Sequence, residues 1–233
     1  GPCLPGKAVN LMKLNPMNLN SMNLHADEGF FFGLSVFETI CLREGRPLLL
    51  ENHLERLKSS AIFLGITSST AAASPVTASQ VYGWLEAEKK KGNSLLENGG
   101  LKIVLSQENL HFSLWENPYR EETYQKGFRM DYSAVRRNET SPLVCHKTAN
   151  YGDCILENRA CHAAGMNERI FLNTRGELAE GTVSNLFFIR DGELFTPARS
   201  CGLLPGIIRQ WLLDREPVRE IFIRPCQVSQ FEE

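Results

Sequence analysis

A chain of 233 residues, 42% of them hydrophobic and 22% charged, has the profile of an ordinary globular protein able to bury a sizeable core. Its formal net charge is −2 and its pI is near 6.3, and its Lys and Arg are scattered rather than striped, so nucleic acid is not an expected partner. No apolar run approaches the roughly 20 residues of a membrane span, and the N-terminus lacks a basic segment followed by an apolar one, so membrane insertion and secretion are not expected.

In chain order, residues 10–25 are biased toward Asn, Leu and Met and yield no readable element. Residues 30–42 read as β structure ending at the turn 43–47, and a hairpin then leads into a helix. Over 51–64 the residues Leu54, Leu57, Ala61 and Leu64 recur at helical spacing, with Gly65 placed to cap the end. His53, Arg56 and Ser60 share another face of that helix. A further helix is predicted over 81–91, its Lys89-Lys90-Lys91 end suited to the helix dipole. A strand follows over 101–106.

The stretch 117–127 breaks the regular pattern. It suggests a first lobe over 1–116, a linker at 117–120 and a second lobe over 121–233. In that second lobe a helix over 153–164 ends at Gly165, a strand covers 169–173, and a turn occupies 174–176. A strand over 184–190 turns at Asp191-Gly192, and residues 204–211 read as a loop entering a helix. Helices alternating with hairpins predict an α/β protein of α+β type, with mixed sheets and packed helices.

The seven cysteines, Cys3, Cys41, Cys145, Cys154, Cys161, Cys201 and Cys226, are widely spaced and contain no C-x-x-C pair. Neither a disulfide framework nor a zinc site is suggested, and a reducing cytoplasm fits best. A thiolate and imidazole at Cys145-His146 would be a nucleophile and its base, but adjacent side chains on an extended segment point to opposite faces. Cys161-His162 meets the same objection on a helix.

Lys147 alone would read as a surface charge. Around it, however, the motifs Cys145-His146-Lys147-Thr148-Ala149-Asn150-Tyr151, Leu178-Ala179-Glu180-Gly181-Thr182-Val183-Ser184-Asn185 and Gly202-Leu203-Leu204-Pro205-Gly206-Ile207-Ile208-Arg209-Gln210 follow in order. They are preceded by Gly29-Phe30-Phe31-Phe32-Gly33, Val36-Phe37-Glu38-Thr39-Ile40 and His53-Leu54-Glu55-Arg56-Leu57. From about Asp27 to Gln210 this series resembles the class-IV aminotransferase family of pyridoxal-phosphate enzymes.

The resemblance implies a two-lobed fold like that of D-amino-acid aminotransferase, with pyridoxal 5′-phosphate between the lobes and a homodimer completing the pockets. It implies that Lys147 carries the cofactor as a Schiff base, which needs a sheltered site that lowers its pKa. Glu180 matches the carboxylate that keeps the pyridine nitrogen protonated. Arg56 matches the phosphate-binding fork, and Gly206, Ile207 and Ile208 match the helix start whose backbone N–H groups share that phosphate. Tyr151 matches a phenol at the ring hydroxyl, and Thr182 and Ser184 are read as further hydroxyl donors. Thr39 is a candidate for assisting proton transfer.

Within the family, Phe37-Glu38-Thr39 and the spacing Lys147-x-x-Asn150-Tyr151 are similar to the 4-amino-4-deoxychorismate lyase group, which eliminates pyruvate and yields 4-aminobenzoate for folate synthesis. The alternatives are a D-amino-acid or branched-chain aminotransferase, or a catalytically silent member that binds the cofactor; each would take a small amino substrate. The chain departs from the family pattern in having Glu28 after Asp27, Leu34 after Gly33, Cys41 where many members carry Arg, and Ile208 in place of a common Thr. It also stops at Glu233, roughly 40 residues before members normally end.

Overall fold

Alternation along β1 (Val36–Arg43) organises the first half of the chain, which a computed structural model describes over residues 24–66 and 76–232. Most of the Asn/Leu/Met-biased segment, the N-terminal stretch with Cys3, and Glu233 lie outside the described residues. Side chains point alternately to the two faces of a strand, so Val36, Glu38, Ile40 and Leu42 are buried while Phe37, Thr39 and Cys41 face the other way. β1 pairs antiparallel with β2 (Arg46–Pro47) and with β3 (Gly99–Leu105), and β3 pairs antiparallel with β4 (Leu110–Glu116). The order is β2-β1-β3-β4.

One face of this sheet is covered by helices α2 (Leu50–Phe63), α3 (Ala78–Lys90) and α4 (Leu95–Asn98). Leu54, Leu57 and Ala61 of α2 form the apolar stripe expected from their spacing and join Ile40, Leu101 and Ile103 in one core. Burying a leucine of this kind contributes about 1.5–3 kcal/mol. α3 begins one turn before the predicted start because Thr77 and Gln80 cap each other reciprocally.

The start of the predicted β region is instead a helical turn, α1 (Glu28–Phe32). Asp27 Oδ1 accepts from the Phe30 N–H at 3.1 Å, and Gly33 ends the turn with φ +69°, a conformation that costs glycine little. These caps outweigh the β-preference of three phenylalanines, and Phe30, Phe31 and Phe32 are left exposed.

The candidate linker stretch holds a short helix, α5 (Glu121–Lys126). β5 (Met130–Arg137) then runs parallel to β6 (Glu168–Asn173), with α6 (Gly152–Ala163) in the crossover and β7 (Leu178–Gly181) antiparallel to β6. A third sheet has the order β10-β9-β8, made of β8 (Phe188–Arg190), β9 (Glu193–Pro197) and β10 (Val218–Ile221), with α7 (Ile207–Leu213) before β10. The strand predicted over 184–190 pairs only in its last three residues, because Ser184 is held in a tight turn in which its carbonyl accepts from the Gly181 N–H at 2.8 Å. The expected α/β class with mixed sheets is what forms. No helix among the described residues is long and apolar enough to cross a membrane.

Asp27 ties α1 to the β3–β4 hairpin: its Oδ2 also accepts from Ser106 Oγ at 2.6 Å, the Glu108 N–H at 2.9 Å and Asn109 Nδ2 at 3.0 Å. Burial alone would raise its pKa, but these donors and the Phe30 N–H hold it below the usual carboxylate range. Its contribution is therefore present above the unfolded-state pKa and is lost as pH falls through the depressed folded-state value. Asp27→Ala should cost about 1–3 kcal/mol in denaturant unfolding at neutral pH. The difference from wild type should shrink as the pH is taken below about 4.

Candidate active site

Lys147 lies in an irregular segment, so its placement comes from the strand beside it. The Phe37 N–H donates to the Lys147 carbonyl at 2.9 Å, Val36 and Thr148 form an isolated β-bridge, and the Ala149 N–H donates to the Ser35 carbonyl at 2.9 Å. Asn150 Nδ2 adds a bond to the Gly33 carbonyl at 3.0 Å. The lysine side chain runs between two rings, with Nζ 4.6 Å from the Phe37 centroid and 5.2 Å from that of Tyr151. Enclosure of the ammonium, aided by the positive charge of Arg56, pushes its pKa down to about 8.

His53 and Arg56, the face of α2 singled out by spacing, both reach Glu38, whose carboxylate is fully buried. Arg56 Nε donates to Oε1 at 2.7 Å, Arg56 Nη2 to Oε2 at 2.6 Å, and His53 Nδ1 lies 2.7 Å from Oε2. Burial opposes the Glu38 charge, but Arg56 and His53 together hold its pKa below the ordinary value. Arg56 Nη1 donates to the Pro205 carbonyl at 3.1 Å. A guanidinium has five N–H donors, so one on each Nη remains for an anion. The Pro205 contact places these beside Gly206, which precedes α7.

The first N–H groups of a helix have no intrahelical acceptor, which leaves those of Ile207 and Ile208 open toward an anion. The Ile208 side chain itself is exposed. At Gly206 a Cβ would run into Asn185 Oδ1, and Asn185 Nδ2 donates to the Leu204 carbonyl at 3.0 Å. Glycine is required there for the close approach.

Glu180, at the end of β7, is buried; Arg137 Nε donates to its Oε1 at 2.9 Å, Arg137 Nη2 donates to the same oxygen, and the Leu204 N–H donates to Oε2 at 3.0 Å. Its pKa is raised because burial outweighs the pull of Arg137. Tyr151 donates its hydroxyl to the Thr182 carbonyl at 3.0 Å and packs edge-on to Phe37. Burial raises its pKa, so it stays a neutral phenol. Its oxygen keeps an acceptor site.

Lys147 thus lies beside the Tyr151 ring and within electrostatic reach of Arg56 and Glu180, and Arg56 reaches the turn before Gly206 through Pro205. Thr182 and Ser184 turn their hydroxyl protons elsewhere: both donate to Glu168, at 2.5 Å and 2.7 Å. Thr39 lies on the face of β1 that carries Phe37, opposite Lys102 on β3. His146 stacks on Phe63 at 3.9 Å with Nδ1 3.2 Å from Ser60 Oγ, so its ring is engaged with α2. Sequence reasoning quoted Glu38 without assigning it work and passed over Arg137; the available signal for Arg137 was a charged residue closing a strand ten positions before Lys147.

Glu38→Gln leaves the Arg56 guanidinium without its buried counter-charge, so it should cost about 3–5 kcal/mol in denaturant unfolding and, by equilibrium dialysis under conditions where the variant is folded, weaken retention of pyridoxal phosphate about 10- to 100-fold. Because the neutral amine attacks an aldehyde, the rate at which the cofactor-free protein takes up pyridoxal phosphate should rise with pH through about 8 and then level off. A profile centred near an ordinary lysine pKa would contradict the enclosure of Lys147.

The sequence matches the family model for amino-transferase class IV over residues 35–233. It is 25% identical over 205 residues to the aminodeoxychorismate lyase of Bacillus subtilis strain 168, covering 81% of this chain and 66% of that protein, just under two thirds of its length. The 4-amino-4-deoxychorismate lyase of Pseudomonas aeruginosa superposes with a TM-score of 0.75 at 26% identity, covering 91% of this chain and 82% of that one. A branched-chain aminotransferase from Thermoproteus uzoniensis, solved with norvaline, gives 0.68 at 25% identity, covering 88% and 74%. The chain belongs to the amino-transferase class IV family, whose fold-type IV members depend on pyridoxal phosphate.

Proposed function

We propose that this protein is a pyridoxal-phosphate-dependent 4-amino-4-deoxychorismate lyase. The observation that carries the cofactor assignment is Lys147: an enclosed amine with its pKa near 8, facing two buried carboxylate–arginine pairs. The residues present fit the group. Two spare N–H donors of Arg56 and the open N–H groups of Ile207 and Ile208 would hold a phosphate dianion. Glu180, kept basic by burial, would accept from a protonated pyridine nitrogen, and the Tyr151 oxygen would accept from a ring hydroxyl. Bound there, pyridoxal phosphate supplies an aldehyde for the substrate amine and a ring that accommodates the electron pair left on proton removal.

Lys147 then serves as the base. Its neutral amine takes the proton from the amine-bearing ring carbon, the bond to the enolpyruvyl oxygen breaks as the ring becomes aromatic, and the departing enolate gains a proton to become pyruvate. Atoms balance without added water. Thr39 is assigned a hydroxyl within the pocket that assists this proton movement, and Phe37 and Tyr151 exclude water from the lysine. The lyase reading is supported by the Phe37-Glu38-Thr39 motif, by the Lys147-to-Tyr151 spacing and by the lyases among the relatives. An aminotransferase would use the same base; similarity to a branched-chain enzyme keeps that as the second reading.

A homodimer is part of the proposal, supported by the adjacent exposed rings of Phe30, Phe31 and Phe32, which would gain from burial against a second copy. The described cysteines are all free thiols, which suits a cytoplasmic enzyme.

Purified protein mixed with pyridoxal phosphate should develop the visible band of the lysine-bound cofactor, and then release 4-aminobenzoate and pyruvate in equal amounts from aminodeoxychorismate. Lys147→Ala should abolish both the band and turnover. Amino-group exchange with a keto acid, without 4-aminobenzoate, would assign the aminotransferase instead. No band at all would leave a silent family member.

A further inference from the structure

The backbone pairing that holds Lys147 grips it from one side. The Phe37 N–H fixes the Lys147 carbonyl, and Thr148 and Ala149 follow in register, but the chain before the lysine is irregular. Over residues 138–146 the backbone turns on itself: the N–H groups of Ser141, Val144 and His146 donate to the carbonyls of Asn138, Ser141 and Leu143. A side chain keeps one direction only if its residue is fixed at both ends. The second tie is the imidazole of His146, which stacks on Phe63 with centroids 3.9 Å apart and planes 10° from parallel, and whose Nδ1 lies 3.2 Å from Ser60 Oγ. Among the described residues, it is the one side chain of residues 138–146 with a hydrogen bond to α2.

A stacked pair inside a core would need no further account. Phe63, however, is 46% exposed and lies outside the core cluster of the first sheet, so its burial contributes little to the fold. What distinguishes the pair is its place. His53, Arg56, Ser60 and Phe63 follow at helical spacing along one face of α2, so the face that presents Arg56 also holds the residue before Lys147. Ser60 is one turn, about 6 Å, beyond Arg56. Stacking sets the plane of the imidazole, and the Ser60 contact sets its rotation within that plane. Burial, and then the charge of Arg199, hold the ring toward its neutral form, in which Nδ1 and the Ser60 hydroxyl can pair.

We propose that His146 is a positioning residue whose clasp on Ser60 and Phe63 fixes the span between the Lys147 amine and the anion site at Arg56. A ligand held through an aldehyde at one end and a phosphate at the other gains from both anchors only when their separation matches its own length. The clasp joins the two anchors through α2 and removes the slack between them. It sets their spacing and leaves the strength of each anchor unchanged. The assignment rests on the pyridoxal-phosphate reading of the Lys147 pocket.

Wild type, His146→Ala and His146→Phe would be compared by equilibrium dialysis for retention of pyridoxal phosphate and of pyridoxal, which lacks the phosphate. Inorganic phosphate binding would be measured on the cofactor-free proteins. The ratio of the two aldehydes cancels the protonation of Lys147, which both require. Wild type should retain pyridoxal phosphate about 100-fold more tightly than pyridoxal. His146→Ala should lose about tenfold of that ratio, with inorganic phosphate bound within about twofold of wild type. His146→Phe keeps the stack and should lie between the two, as should Ser60→Ala, which trims only the hydrogen bond and serves if His146→Ala does not fold. A ratio unchanged in these variants, or a loss matched by equal loss of inorganic phosphate binding, overturns the clasp. The visible band of the lysine-bound cofactor reports the other assignment separately. If it forms while the ratio ignores His146, the clasp alone falls; if wild type forms no band with either aldehyde, the pyridoxal-phosphate reading falls.

Discussion

Everything in the site depends on one backbone seam, the pairing of residues 147–149 with the segment that leads into β1. An irregular loop cannot by itself hold a reactive amine to a fraction of an ångström, and catalysis is sensitive to displacements of about 1 Å. Here the loop borrows the rigidity of the first sheet. The seam joins the two halves of the chain at Lys147, and Asn150 and His146 reinforce it on either side through Gly33 and α2. A movement between halves would therefore be felt first at Lys147.

Two buried carboxylates flank that amine, and each has its own arginine. Glu38 with Arg56 belongs mainly to the first sheet and α2, while Glu180 with Arg137 belongs to the second. Removing one member of such a pair leaves an uncompensated buried charge at a cost of several kcal/mol, so the pairs are conditions for the fold as much as for the site. Because each carboxylate is already satisfied by its arginine, neither is free to stabilise a protonated Lys147 fully. Desolvation then prevails over attraction, and the lysine keeps a pKa of about 8.

Much of this was legible in the sequence, for reasons particular to each residue. The stripe Leu54, Leu57, Ala61 places α2, and the spacing of His53, Arg56 and Ser60 already puts three polar groups on one side of it; all three meet partners across the structure. Lys147, Glu180 and the Gly206 turn are carried by short motifs in which glycine and charge have local work to do. What could not be read was partnership over long separation. Arg137 meets Glu180 across 43 positions, and Glu168 collects Thr182 and Ser184 from the turn after β7, so two hydroxyls that look aimed at the site from their place beside Glu180 are bonded elsewhere. The helical turn at Phe30 was hidden for a different reason: three aromatics favour β structure on propensity, and the cap that reverses them depends on Asp27 being fixed by a hairpin some 80 residues away.

The two walls of the pocket are built on different terms. On the second-lobe side, Glu168 accepts from the N–H groups of Arg169, Thr182 and Val183 and from the hydroxyls of Thr182 and Ser184. A Cβ at Gly181 would collide with that carboxylate, which accounts for the glycine between Glu180 and Thr182. The turn so fixed presents the Thr182 carbonyl to Tyr151 and leaves Glu180 to Arg137, with every polar group engaged. Among the described residues, Thr39, Lys102, His111 and Ser113 on the outer face of the first sheet have no such hydrogen bonds. A wall whose hydrogen bonds are internally complete holds a cofactor in one orientation. A wall with free donors in a dehydrated cleft is stabilised only when something binds to it. Among the described residues, internal hydrogen bonds thus fix the surroundings of Glu180 and Tyr151 and leave the outer face of the first sheet without them.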